Sequence, residues 1–116
     1  MEYLLLIYGD PGATPQTEAE HEALFSDFQT WQADLVGRGL FVTGNPLGRD
    51  STTTVRVRDQ RAFLTDGPFA ETKEFLGGFV IVRAESLDVA LEIAKACPGA
   101  KYGSVEIHPI VEPVRA

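Results

Sequence analysis

At 116 residues the chain has room for one domain with one core, and 44% hydrophobic with 23% charged residues is ordinary globular usage. A net charge of -7 argues against nonspecific nucleic-acid binding, because neutralising phosphates takes a basic surface. Cys97 is the single cysteine, which excludes an intrachain disulfide and the framework of a stapled secreted domain.

The first element is an apolar run, Tyr3 to Tyr8, hydrophobic on both parities. It reads as a strand covered on both faces, in the middle of a sheet. It is too short for a signal-peptide core and has no basic flank, and nothing later approaches a membrane span, so a cytoplasmic protein is expected. Gly9-Asp10-Pro11-Gly12 ends the strand with turn chemistry. Thr14-Pro15 then reads as a helix N-cap with proline at the first helical position, and Glu18, Glu20 and Glu22 suit the positive end of the helix dipole. The helix is predicted to reach about Val36, with Leu24, Phe25, Phe28, Trp31 and Leu35 as its inward stripe and His21 on the same stripe. Gly37 and Gly39 supply the stop.

Leu40-Phe41-Val42 begins a second strand, which Gly44-Asn45-Pro46 is expected to interrupt. From Thr52 to Arg58 the chain alternates, with Val55 and Val57 on one face and Thr54, Arg56 and Arg58 on the other. Asp59-Gln60 joins this run to Arg61-Ala62-Phe63-Leu64-Thr65 as a hairpin. A charged loop from Asp66 to Leu76 follows, then Gly78 to Val82 as another two-sided apolar strand. Ser86 caps a second helix with Leu87, Ala90, Leu91 and Ala94 inward, Pro98-Gly99 closes it, and Ser104 to Val111 is the last strand. Two helices can cover one face of such a sheet, while two of its strands want both faces covered. A homodimer with sheets packed face to face is the expected answer.

The residues that invite chemistry are few. His21 has two readings: a core histidine with its hydrogen bonds satisfied, or an acid–base group. Between Asp66 and Glu74 the loop carries Asp66, Glu71, Lys73 and Glu74, more charge than a turn requires, with Phe69 as an aromatic plug. Arg56 and Arg58 read either as a wet strand face or as receivers of an anionic ligand. Two histidines and one cysteine far apart give no metal spacing, and there is neither a phosphate-cradling glycine loop nor a nucleophile elbow.

Tyr3 to Asp10, Thr53-Thr54-Val55-Arg56, Asp66-Gly67-Pro68-Phe69-Ala70-Glu71-Thr72-Lys73-Glu74, Gly77-Gly78-Phe79 and Ser104-Val105-Glu106 together resemble the YCII-related family, also called DGPF-domain proteins. The resemblance runs in order over nearly the whole chain and implies a single domain over residues 1–116. The fold it implies is ferredoxin-like α+β: an antiparallel sheet with two helices on one face, dimerising into an α/β barrel. It also implies a histidine on the first helix paired with an aspartate before the proline that ends the second. His21 matches the histidine, whereas Cys97 stands at the aspartate's place before Pro98.

The expectation is therefore a small homodimer binding a compact polar or aromatic molecule between the first helix, the Asp66 to Glu74 loop and the sheet. His21 would contact or protonate the ligand, Asp66 would orient a donor, and Lys73 would offset an acidic group. Glu71, Arg56 and Phe69 would complete the binding set. The enzymatic form of this reading is acid–base elimination or hydrolysis on a small organic substrate, with no cofactor or metal indicated. The alternative is a regulatory protein that docks an extracytoplasmic-function sigma factor.

Overall fold

The computed structural model describes residues 1–48, 52–67 and 74–113. Among the described residues, six strands and two helices follow one another as β1 (Glu2–Gly9), α1 (Glu18–Gly37), β2 (Phe41–Pro46), β3 (Thr53–Arg58), β4 (Arg61–Asp66), β5 (Phe75–Arg83), α2 (Leu87–Lys95) and β6 (Gly103–Pro109), with a short 3-10 turn at Pro98–Lys101. Four strands form one antiparallel sheet in the order β2-β5-β1-β6, and β3 and β4 form a separate two-stranded hairpin. Without the hairpin, this order is the α+β arrangement called ferredoxin-like.

Register decides which side chains meet the helices. Tyr3 opposite Val82 and Leu5 opposite Val80 point to one face, where they pack with Trp31 and Leu35 of α1 and Ala90 and Ile93 of α2. Leu5, Leu35, Val82 and Cys97 are the largest fully buried side chains. Each such burial is worth about 1.5–3 kcal/mol, so this single layer carries most of the stability. The alternate set, Leu4 opposite Ile81 and Leu6 opposite Phe79, faces the other way and is half-buried. The outline agrees with a two-layer molecule open on one side: its extents are 48 × 44 × 18 Å. Its radius of gyration is 16.3 Å, whereas about 13 Å is usual for a compact domain of this length.

Several local expectations change. The N-cap of α1 is Thr17, whose hydroxyl accepts from the Glu20 N–H at 3.1 Å. The Glu20 carboxylate reaches back to the Gln16 N–H, so the helix starts three residues later than Thr14-Pro15 suggested. Trp31 and Leu35 are buried as the stripe predicts, with Phe28 packed beside them, whereas His21 and Phe25 are exposed and do not belong to it. Gly44-Asn45-Pro46 does not interrupt β2. Gly44 is opposite Val80, where a Cβ would lie 2.7 Å from the Phe79 carbonyl oxygen, so only glycine fits there. Pro46 ends an edge strand, where a missing N–H costs no ladder bond. The Asp59-Gln60 hairpin is present, with both residues at positive φ (50° and 64°), as the twist of a two-residue turn demands.

Cys97 is sealed against the core, and desolvation pushes its thiol from 9.0 up to about 11, partly offset by the backbone N–H groups of Gly99 and Ala100. The thiol is neutral near pH 7 and cannot stand in for a carboxylate. Because the folded state resists ionising it, its contribution to stability is complete below the unfolded pKa and is lost as pH rises from 9.0 towards about 11. The wild-type protein is thus expected to lose denaturant stability over that interval faster than Cys97→Ala, in urea melts at matched pH. Parallel curves for the two proteins would contradict the assignment.

Candidate functional site

α1 carries two working faces. Trp31 is the anchor of the first: its Nε1–H donates to the Ile93 carbonyl of α2 at 3.1 Å, and Phe28 meets it edge-on with ring centroids 6.2 Å apart. The second face follows the spacing Phe25, Gln29, Gln32, Val36, four, three and four residues apart, and so lies in one line along the helix. That line overhangs the β2–β5 side of the sheet and leaves a groove of about 800 Å³.

Phe25, Phe28 and Trp31 line the groove from the helix, and Gly44 to Pro46 with Gly77 to Val80 line it from the sheet. The glycines matter here because they leave the sheet side without bulk beneath the helix. Gly99 packs against two of the lining side chains: a Cβ there would meet Ile7 and Phe28 at 2.8 and 3.1 Å. Gln29 and Gln32 supply side-chain amides, each able to donate and accept. Among the described lining residues none is ionisable, so the groove offers aromatic faces and neutral hydrogen bonds rather than charge. A second cleft of about 270 Å³ lies between α1 and α2, where Asp34 is already paired with Arg38 at 3.1 Å and Glu92, which also lines it, with Lys95 at 3.1 Å.

Of the residues expected to converge, the described ones, His21, Asp66 and Arg56, stand on different elements. His21 stands on α1, exposed, one turn before Phe25 and about 6 Å along the helix axis. Asp66 is exposed at the base of the hairpin, opposite Thr53 and on the same face as Val55 and Leu64. Arg56 lies on the other hairpin face, opposite Phe63. Phe69, Glu71 and Lys73 fall outside the described residues. Glu74 accepts from the Ser104 hydroxyl at 3.1 Å, which ties the end of the loop to β6. On the open sheet face His108 pairs with Glu106, its neighbour two residues before on the same strand. Among the described residues no group of three or more histidine, cysteine, aspartate or glutamate side chains is arranged to hold a metal ion, and no helix is long and apolar enough to cross a membrane.

Sequence reasoning missed Gln29 and Gln32, because an amide on a helix looks like ordinary surface. The signal was present in the second stripe from Phe25 to Val36, which runs beside the core stripe and is too apolar for a solvated face.

Residues 1–113 match the model of the YCII-related domain. The chain belongs to the YCII-related family. An uncharacterized protein of Rhizobium meliloti (strain 1021) is 33% identical over 117 residues, covering 95% of this chain and 92% of that one. Among solved structures, the YCII-related chain is similar to 5-chloro-2-hydroxyhydroquinone dehydrochlorinase (TftG) from Burkholderia phenoliruptrix AC1100, in complex with 2,5-dihydroxybenzoquinone. The TM-score is 0.57 at 16% identity, over 97% of this chain and 96% of that one, a likeness of fold.

The two faces of α1 separate in a stability test. Trp31→Ala is expected to cost about 3–5 kcal/mol, through a core cavity and the lost bond to Ile93. Phe25→Ala, at a side chain 66% exposed, should stay within about 0.5 kcal/mol of wild type in the same urea melts. A large loss at Phe25 would make it a core residue and remove it from the site.

Proposed function

We propose that this YCII-related chain binds a compact, flat, uncharged or weakly polar organic molecule in the groove between α1 and the β2–β5 side of the sheet. The observation that carries the reading is the lining itself: Phe25, Phe28 and Trp31 around an open volume of about 800 Å³, with Gln29 and Gln32 as the polar contacts. Aromatic rings stack on aromatic ligands at little entropic cost, and side-chain amides suit hydroxyl and carbonyl substituents.

His21 lies one turn from the groove and is the group to which proton exchange with the ligand would fall. Acid–base turnover is thus a reading of His21, separable from binding. Asp66 and Arg56 would contribute only if the hairpin is brought to the groove, while Lys73, Glu71 and Phe69 lie outside the described residues.

The assembled form we propose is a homodimer, closed as an α/β barrel by the open sheet faces. Leu4, Leu6, Phe79 and Ile81 give that face an apolar centre, and Glu106, His108, Thr43 and Asn45 give it a polar rim, the anatomy of a subunit interface.

Trp31 is the only tryptophan, so its emission reports on the groove. Titration with 2,5-dihydroxybenzoquinone and related hydroxylated aromatics is expected to quench it saturably. Phe25→Ala should weaken binding about tenfold, a loss of about 1.4 kcal/mol. His21→Ala should leave binding intact and abolish any turnover. Quenching that never saturates, or that ignores Phe25→Ala, would reject the groove as the site.

A further inference from the structure

The four-stranded sheet ends on two edge strands, β2 and β6, and they differ in what they offer. β2 is blunted by its own sequence. Its register with β5 slips between Phe41 and Thr43, and it closes on Pro46, which has no N–H to give. β6 runs in unbroken register with β1 from Gly103 to Pro109. The Ile110 N–H donates to the Glu2 carbonyl at 2.9 Å, which fixes the phase of that ladder. Ser104, Glu106 and His108 therefore turn their backbone groups inward to β1, and Val105 and Ile107 turn theirs outward. Among the described residues, none hydrogen-bonds to those outward groups. β6 has neither a bulge nor a lysine to discourage a neighbour.

The side chains of β6 select that neighbour. Val105 and Ile107 pack towards the core, while Glu106 and His108 stand on the open face, bonded to each other and about half exposed. A second β6 running antiparallel can overlap most of the first in three registers. Centred on Glu106, it sets that carboxylate against its own copy, a like-charge pair that is destabilising. Centred on Val105, it sets Glu106 opposite a serine and matches no charge. Centred on Ile107, it sets Glu106 opposite the partner's His108 and His108 opposite the partner's Glu106. Carboxylate and imidazole then alternate around the contact.

We infer that β6 is an interaction edge whose partner is β6 of a second copy, paired antiparallel about a twofold axis through Ile107. Ile107 exchanges backbone bonds with the partner's Ile107. The Val105 N–H donates to the carbonyl of the partner's Pro109, at the ladder's end, where the proline's missing N–H matters least. The contact is isologous and closes on itself, so it builds a dimer and not a fibre. This seam rests on the homodimer proposed above and names the edge along which its two sheets become continuous, as the strands of a barrel are.

The test uses three variants of the full chain, Ser104→Cys, Glu106→Cys and His108→Cys, mixed in pairs in a thiol–disulfide redox buffer. Cys97 is buried and takes no part. Opposed residues that do not exchange backbone bonds have Cα atoms about 4.5 Å apart, which suits a disulfide. The expected product, on non-reducing gels and by mass spectrometry, is a covalent heterodimer of Glu106→Cys with His108→Cys, in which the remaining Glu106 and His108 still face each other. A product of equal or greater yield in either mixture with Ser104→Cys means another register, and no heterodimer means another surface. Either result overturns the inference. Sedimentation of the wild-type protein separates the two claims: a dimer whose variants do not cross-link refutes the seam alone, and a monomer refutes the homodimer and the seam together.

Discussion

Two helices, of twenty and nine residues, lie against a sheet of four strands. They cover the face that carries Tyr3, Leu5, Val80 and Val82, and nothing of their length remains for the other. Every strand in the middle of that sheet is nevertheless apolar on both parities. The hydrophobic effect acts on both faces alike, at about 25 cal/mol per Å² of apolar surface removed from water. The half-buried residues Leu4, Leu6, Phe79 and Ile81 are the consequence, and the dimer proposed here is the way of covering them that needs no additional chain.

The same shortage of cover explains the site. α1 is held down by Trp31 and Leu35 and by the hydrogen bond from the indole to α2. Anchored on that side, it overhangs β2 and β5 on the other, where Gly44, Gly77 and Gly78 contribute no side chains to fill the space. A groove rather than a core results, with amides where a core would have leucines. Rigid strands and a well-capped helix hold it open, which is how a site is kept in place at low entropic cost.

Much of this was readable from the residues. Period-two alternation in Thr53 to Arg58 and the turn at Asp59-Gln60 give the hairpin, and Ser86 ahead of Leu87 gives the start of α2. The two-sided apolar runs in β1 and β5 place those strands at the centre of the sheet. What local pattern could not supply was the rotation of α1. Phe25 and Leu24 both fit an inward stripe by spacing, and only the position of the sheet decides that Phe25 overhangs a groove. Likewise Gly44-Asn45-Pro46 has the composition of a turn, and only its place on an edge strand beside Phe79 and Val80 makes it a strand. His21, Asp66 and Arg56 were singled out for their chemistry, yet the described groove is lined by neutral side chains that no chemical motif would select.

The central claim is that a ligand sits between α1 and the β2–β5 side of the sheet, and chemical-shift mapping on 15N-labelled protein addresses it most directly. The side-chain amides of Gln29 and Gln32 and the indole N–H of Trp31 each give a resolvable signal. On titration with a hydroxylated aromatic these signals are predicted to shift together and to saturate together. Shifts that gather instead on the hairpin or on Leu4, Leu6 and Ile81 of the open face, with the two amides unmoved, would contradict it.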